Sequence, residues 1–440
     1  MSKEKIYRPR PISGFPEWLP EQRMLELNWL DKIRHTFESF GFCSIETPSV
    51  EELDVLLAKG ETDNEIYTLT RLQADADDTS DARLALHYDL TVPFARYVAQ
   101  HFSELVFPFK RYQIQRSWRG ERPQDGRYRE FYQCDIDVIN VDSLPLHFDA
   151  EIPAIIYDTL CGLEIGGLHI HINNRKILEG YFKGLGIEDA VSAIRIVDKL
   201  GKIGEAEVIA ALQSELKLSK KLATQCLEIA AIRTTDASFV EEVKALEVQS
   251  DLLDEGLGEL VFVMDELRSI PNGAILADLS VARGFDYYTG TVYETTLLDF
   301  PNLGSICSGG RYDDLAGSFI NRRLPGVGIS IGLSRLFGKL ITENRLETGA
   351  KCPTDLLMVF PNAERREDAV RTANLLRQRG FKVEMYHTPG KISRQLRYVS
   401  RKGIPYAWFP PFEEGGVHEV KDMKNGEQTV VDPEAWNRGE

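Results

Sequence analysis

The sequence predicts an α/β (α+β) chain of more than one domain: a strand-rich core, interrupted by a helical insertion, followed by a small α/β domain. Three observations predict it. Strand-like stretches with charged loops occur both before residue 175 and after residue 275. The stretch between them, at about 175–265, is dense in helix formers. Beyond a polar segment from Thr342 to Lys351, strands and helices alternate, which is the signature of a small α/β layer. At 440 residues the chain is long for one core, so a boundary near residue 345 is expected. The expected domains are then 1–345, interrupted at about 175–265, and 346–440.

Taken in order, Glu21 to Phe40 carries Leu25, Leu27, Trp29, Leu30, Ile33, Phe37 and Phe40 at roughly helical spacing, and the pattern breaks at Gly41 into an extended Phe42 to Ile45 before Pro48. Leu84 to Tyr88 reads as a strand, and Val92 to His101 as a helix that opens with Pro93. Phe109 to Arg119 and Tyr128 to Val138 are strand-like and flank a charged, glycine-containing loop, which predicts a hairpin. Three helical stretches follow at Glu205–Leu216, Lys220–Ile232 and Phe239–Leu253. Strand pattern returns from Ile275 through Leu279 and from Thr291 to Leu297, and Gly326–Ile331 runs into a helix containing Arg335 and Leu340. The last part reads strand (355–360), helix (363–379), strand (381–386), helix (391–402) and strand (405–409).

Composition removes several classes of function. No apolar run approaches the roughly 20 residues needed to cross a bilayer, and Met1-Ser-Lys-Glu-Lys has no apolar signal core. The six cysteines are scattered without close pairs, so a reduced, cytoplasmic protein without a metal site is expected. A formal charge of −16 argues against general coating of nucleic acid, because phosphate binding needs clustered cations. Two clusters exist: Lys110 to Arg129, and Lys391, Arg394, Arg397, Arg401 and Lys402 without an intervening acid. A solvated helix face would carry the same charges, so charge alone decides nothing.

The hairpin carries more information. Its stretch from Trp118 to Gln133 brings Arg119, Arg122, Arg127 and Arg129 together with Phe131 on neighbouring strands. Guanidinium forks bind phosphate or carboxylate, and a phenyl face can stack a purine. A nucleotide would satisfy both, although an exposed hairpin with solvated arginines has the same composition. Downstream, Gly326 to Gly332 is a glycine-punctuated strand leading to Arg335 at the start of a helix. That arginine can face a phosphate tail, and close strand–helix packing explains the glycines equally well.

The combination resembles class II aminoacyl-tRNA synthetases, and most specifically the histidyl-tRNA synthetase family. The carrying stretches are Asp89-Leu-Thr91-Val-Pro, Arg119-Gly-Glu-Arg-Pro-Gln124, Arg127 to Gln133, Arg283-Gly-Phe-Asp-Tyr-Tyr288-Thr-Gly-Thr, Ser308 to Asp313 and Lys421 to Gln428. The resemblance implies an antiparallel sheet with flanking helices, a homodimer formed partly through Phe42 to Glu51, and a C-terminal α/β anticodon-binding domain. It further implies ATP bent over the sheet, accompanied by Mg²⁺. On matching positions, Arg119 would hold the α-phosphate and the substrate carboxylate, Glu121 the adenine, Arg127 the pyrophosphate end and Arg335 the γ-phosphate, with Phe131 stacking the base. Arg283 would be the second catalytic guanidinium, acting where other class II enzymes use a metal ion.

For histidine, the resemblance implies that Asp137 and Tyr288 contact the two imidazole nitrogens. A selective pocket needs one donor and one acceptor there. Asp89, Leu90, Thr91 and Gln133 would surround the α-ammonium, and Tyr287 would help to close the site. Arg122 and Gln124 of the hairpin loop would meet the acceptor end of tRNA(His), and Lys391, Arg394 and Arg397 the anticodon stem. The chain departs from common bacterial members at Asp89-Leu, at the Cys134-Asp-Ile-Asp137 stretch and at Ser334, where Glu is usual. The rival expectation is a non-catalytic histidine-sensing paralogue, the regulatory subunit of ATP phosphoribosyltransferase, which lacks the C-terminal domain.

Overall fold

The computed structural model describes residues 7–57, 65–72, 83–124, 126–271, 273–282, 288–360 and 362–438. The chain forms two compact units: residues 1–16 with 30–343, and residues 17–29 with 344–440.

Helix α1 (Pro20–Ser39) turns Ile33 and Phe37, one turn apart, fully into the interior of the first unit. It ends at Gly41, whose φ of +80° suits glycine. Strand β1 (Cys43–Ser44) follows, then β2 (Val50–Glu52), α2 (Leu53–Leu57), β3 (Leu84–Leu86), α3 (Thr91–Gln100) and the long hairpin β4 (Phe109–Trp118) and β5 (Glu130–Ile139). After α4 (His147–Cys161), β6 (Leu168–Asn174) enters a mainly helical segment: α5 (Arg175–Gly184), α6 (Ala190–Val197), α7 (Leu200–Ile203), α8 (Glu205–Glu215), α9 (Lys220–Glu228), β7 (Arg233–Thr234), α10 (Phe239–Lys244) and α11 (Asp251–Glu266). The sheet resumes with β8 (Ile275–Asp278), β9 (Tyr288–Leu297), β10 (Cys307–Tyr312) and β11 (Gly326–Gly332), and the unit closes with α12 (Leu333–Thr342).

Among the described residues these strands form a nine-stranded sheet in the order β1-β4-β5-β11-β10-β9-β6-β8-β7. From β4 to β6 every pairing is antiparallel, so the expected antiparallel sheet with flanking helices is what forms. Because strand side chains alternate between faces, register decides what stands beside what. Arg111, Asp137, Gly328 and Gly310 form one row across β4, β5, β11 and β10, and Gln113, Asp135, Ser330 and Ser308 form the next. This polar face is the one the site uses. The opposite face is apolar, with Cys134, Ile136, Val138, Ile329 and Ile331 buried.

The helical segment differs from expectation in two ways. Phe239–Leu253 is not one helix: it breaks between α10 and α11, with Glu247 in the left-handed region at φ +57°. The break lets α11 start where it crosses α5 at very close range. A Cβ on Gly180 would lie 2.8 Å from Leu253 Cα, and one on Gly256 would lie 2.8 Å from the Ile177 nitrogen. Helical periodicity carries no signal for such a crossing. In addition, the segment supplies a strand, since β7 pairs with β8 at the sheet edge.

The second unit holds β12 (Leu356–Met358), α13 (Arg366–Gln378), β13 (Val383–Met385), α14 (Ile392–Lys402), β14 (Tyr406–Phe409), β15 (His418–Asp422) and β16 (Gln428–Val431), in the sheet order β13-β12-β14-β15-β16. The first three strands are parallel. Such strands are covered on both faces: Val399 of α14 joins one core with Leu357 and Ala407, and Ala369, Ala373 and Leu376 of α13 join the other with Trp408. The antiparallel extension β15–β16 was not legible, because its two short strands, separated by Met423 to Glu427, carry few apolar residues. No described helix is long and apolar enough to cross a membrane.

Candidate active site

A cavity of about 400 Å³ opens on the polar face of the large sheet, walled by the start of α3, the β4–β5 hairpin, β9 to β11 and the first turn of α12. It gathers Asp89, Thr91, Arg119, Glu121, Arg127, Phe131, Gln133, Tyr288 and Arg335 from positions up to 246 residues apart, Asp89 to Arg335.

Arg119 follows β4 directly. Its backbone N–H donates to the Arg129 carbonyl at 2.9 Å and its Nε to the Tyr88 carbonyl at 3.1 Å. With one edge of the guanidinium tied down, the other faces the cavity, 5.1 Å from the centre of the Phe131 ring. Across the hairpin, Arg127 Nη1 donates to Glu121 Oε2 at 3.1 Å. The turn between them needs Gly126, which has φ +70° and whose Cβ would press on the Leu303 side chain at 2.9 Å. Arg335, in the first turn of α12, donates through Nη2 to the Leu303 carbonyl. Its Nε is buried without an acceptor among the described residues. Burial, and then the nearby charge of Arg127, lowers the Arg335 pKa, so an anion placed here would relieve both effects.

At the other end, Asp89 Oδ1 accepts from the Val92 N–H at 3.2 Å, capping the start of α3. Burial pushes this carboxyl up, while the Val92 N–H and the charge of Arg119 pull it back. A deeper recess continues from the cavity between Thr91, Tyr288, Ser308 and Ser330, and ends at Asp135, Asp137 and Tyr312. Asp137 is held on both oxygens: Oδ2 lies 2.5 Å from Arg111 Nη2, and Oδ1 accepts from the Tyr312 hydroxyl at 3.0 Å. The Arg111 guanidinium lies 4.3 Å from the Phe94 ring centre, a stacking arrangement suited to a buried arginine. Burial raises Asp137 to about 6 against the opposing charge of Arg111, and raises Asp135 to about 7. The floor of the recess therefore carries acidic groups that are easily protonated, which is a mark of a functional site.

Arg283 and Tyr287 lie outside the described residues, as do Asp125 and Asp286. Leu90 is not in the cavity wall; it is fully buried and anchors the start of α3 from the core side. Arg122 and Gln124 are exposed on the hairpin turn, away from the cavity wall. Lys391, Arg394 and Arg397 belong to the second unit, where all three are exposed at the start of α14. Sequence reasoning gave no role to Tyr312, Asp135 or Ser330. All three lie in stretches it had singled out, but only strand register aims them into the recess. Ser334, the unusual residue before Arg335, ties α12 to β5, its Oγ accepting from the Tyr132 N–H at 2.8 Å.

Residues 14–336 match the family described as histidyl-tRNA synthetase, and residues 356–436 match the anticodon binding domain. A histidine–tRNA ligase from Thermobifida fusca (strain YX) is 61% identical over 99% of this chain and 100% of its own length. The crystal structure of histidyl-tRNA synthetase from Nostoc sp. PCC 7120 superposes with a TM-score of 0.87 at 38% identity, covering 97% of each chain. An ATP phosphoribosyltransferase regulatory subunit/histidyl-tRNA synthetase from Bacillus halodurans C shares the fold, with a TM-score of 0.73 at 22% identity over 90% of this chain and 97% of its own. With family matches that cover both units and a relative of this identity over the full length, this chain belongs to the histidyl-tRNA synthetase family.

Proposed function

We propose that this chain activates histidine with ATP and transfers it to the 3′ end of tRNA(His). The observation that carries this reading is the cavity itself, where three guanidiniums at one end face a polar recess with buried carboxyls at the other. Activation joins a histidine carboxylate oxygen to the α-phosphorus and expels pyrophosphate; transfer then joins the carbonyl carbon to a ribose hydroxyl and expels AMP. Two anions must first be brought together, after which charge builds on a five-coordinate phosphorus. Arg119 and Arg283 supply the positive charge for both. Arg127 and Arg335 hold the far phosphates, Phe131 stacks adenine beside Glu121, Asp137 and Tyr288 take the two imidazole nitrogens, and Asp89, Thr91 and Gln133 hold the ammonium.

Among the described residues, no three carboxylate, imidazole or thiol groups converge as a metal site. Mg²⁺ would accompany ATP, because the leaving pyrophosphate needs neutralising. The exposed Lys391, Arg394 and Arg397 serve the anticodon stem, Arg122 and Gln124 the acceptor end, and the working form is a cytoplasmic homodimer. A histidine-sensing regulator shares the fold, but the anticodon-binding match over residues 356–436 favours the synthetase.

The test is ATP–pyrophosphate exchange with a panel of amino acids, run with and without tRNA. Histidine alone should support exchange, and tRNA(His) should accept it. Histidine binding without exchange would make the chain a regulator. Arg283→Ala should slow exchange at least ~10²-fold with histidine binding retained, as expected for lost transition-state electrostatics; near-normal exchange would remove Arg283 from the chemistry.

A further inference from the structure

We propose that Arg311 is a positioning residue for histidine: from the face of the sheet behind the cavity, it fixes the irregular step between β9 and β10 that aims Tyr288 into the recess. This rests on the reading of the recess as the imidazole pocket and extends it to a side chain with no assigned role.

Gly310 stands in the polar row with Asp137 and Gly328, so the next residue, Arg311, points into the opposite, apolar layer. There its Nε donates to both carboxyl oxygens of Asp149 on α4 at 3.0 Å, and Nη2 joins Asp149 Oδ2. Nη1 and Nη2 also donate to the carbonyls of Leu144 and Pro145, at 3.1 and 3.3 Å. The Asp149 side chain is fully buried and that of Arg311 only 11% exposed. A pair that merely tied α4 to the sheet could be replaced by well-packed apolar side chains, because taking two charges out of water costs about what their attraction returns. What a guanidinium fork held by oxygens of three residues adds is a fixed position.

That position coincides with a break in the pairing of β9 with β10. Gly310 pairs with Val292, but Tyr312 pairs with Tyr288, so Arg311 by itself spans Thr289, Gly290 and Thr291. A bulge of this kind re-aims the side chains beside it, and its register can slip unless something holds it. Arg311 holds it from behind. A Cβ on Gly290 would lie 2.8 Å from Arg311 Cδ, so the backbone of the bulge rests on the arginine stem. In front, the Tyr288 ring lies against Gly310, where a Cβ would come within 2.8 Å of Tyr288 Cδ1. Tyr312, on the other side of Arg311 in the chain, donates its hydroxyl to Asp137 Oδ1 at 3.0 Å. Both residues of the proposed imidazole contact therefore lean on the stretch Gly310-Arg311-Tyr312, and Arg311 is what anchors that stretch to α4.

Two variants of the full chain test this. Arg311→Lys keeps a charge beside Asp149 and gives up the fork, whereas Gly290→Ala leaves Arg311 and Asp149 unaltered and wedges the bulge off the arginine stem. The readouts are the calorimetric Kd for histidine without ATP and the KM for ATP in exchange. Each variant should weaken histidine about tenfold, the worth of roughly one hydrogen bond, with the ATP KM changed less than ~3-fold. Non-additivity then identifies the route. Tyr288→Phe should weaken histidine by a similar factor, and adding Arg311→Lys to it should cost less than ~2-fold more, because the contact it positions is already gone. A full further tenfold loss would show that Arg311 acts without Tyr288 and overturn the proposal, as would an unchanged histidine Kd in both single variants, or histidine and ATP weakened alike. Should Arg311→Lys fail to fold, the same cycle is run with Gly290→Ala. If Tyr288→Phe weakens histidine while neither variant does, the imidazole contact stands and only the proposal falls; if Tyr288→Phe binds histidine normally, both fall together.

Discussion

Asp135 and Asp137 show at the scale of a residue what a binding site imposes on the fold. Both are buried on the polar face of the sheet, both have their carboxyls pushed up by that burial, and the single guanidinium of Arg111 opposes two negative charges. A carboxyl whose pKa is higher folded than unfolded destabilises the native state once pH exceeds its unfolded value of roughly 4. For Asp135 the penalty grows until pH passes about 7 and is constant above that. Asp135→Asn removes the penalty. The ligand-free variant should therefore melt roughly a few degrees higher than the parent at alkaline pH, with the advantage shrinking to nothing as pH falls towards 4. Thermal unfolding at four or five pH values checks this, and an advantage largest in acid would show that Asp135 does not titrate as argued. A residue retained at the expense of stability is the usual mark of function.

At the scale of elements, β10 and β11 bring the recess into being through their glycines. Gly328 stands between Asp137 on β5 and Gly310 on β10, and a Cβ there would collide with Asp137 Oδ1 and crowd the Ile136 carbonyl at 2.5 Å. Gly328→Ala should accordingly push Asp137 away from Arg111 and Tyr312. Its histidine KM in ATP–pyrophosphate exchange should rise at least ~10-fold, the effect of about one buried hydrogen bond removed, with the ATP KM changed less than ~3-fold. Equal rises in both constants would mean that the whole sheet had shifted. Elements of this kind divide what could be read from the sequence from what could not. The β4–β5 hairpin was legible, because alternating apolar residues flank its charged turn. Strand β10 was not, because Ser308-Gly-Gly-Arg311 has neither alternation nor β-branching. Its role emerges only when the flat, side-chain-free surface is seen beside Asp137 and Tyr288. In the same way, arginines 119, 127 and 335 could be named from spacing and resemblance, whereas the Gln133–Ser330 hydrogen bond depends on register between strands far apart in the chain, its two residues separated by 197 positions.

Across the whole molecule, a chain with a formal charge of −16 has to bind a polyanion through a few local clusters. Helix α14 bears the signs of one. Lys391, Arg394 and Arg397 crowd its first turns without an acid there, at the end where the helix dipole disfavours cations. By contrast, the first turn of α13 sets Glu367 and Asp368 beside Arg366, as stability alone would favour. Because salt weakens protein–nucleic acid binding in proportion to the phosphates neutralised, the number of working cations can be read from a slope. For this chain log(kcat/KM) for tRNA should fall with log[salt] with a modest slope, while tRNA-independent exchange should respond far less. The triple variant Lys391→Ala, Arg394→Ala, Arg397→Ala should reduce that slope by roughly 2 to 3, about one for each phosphate no longer neutralised, and leave histidine-dependent exchange intact. An unchanged slope would mean that α14 is only a solvated face, and that the cations reading the RNA lie elsewhere, with Arg122 on the β4–β5 turn as the next candidate to remove.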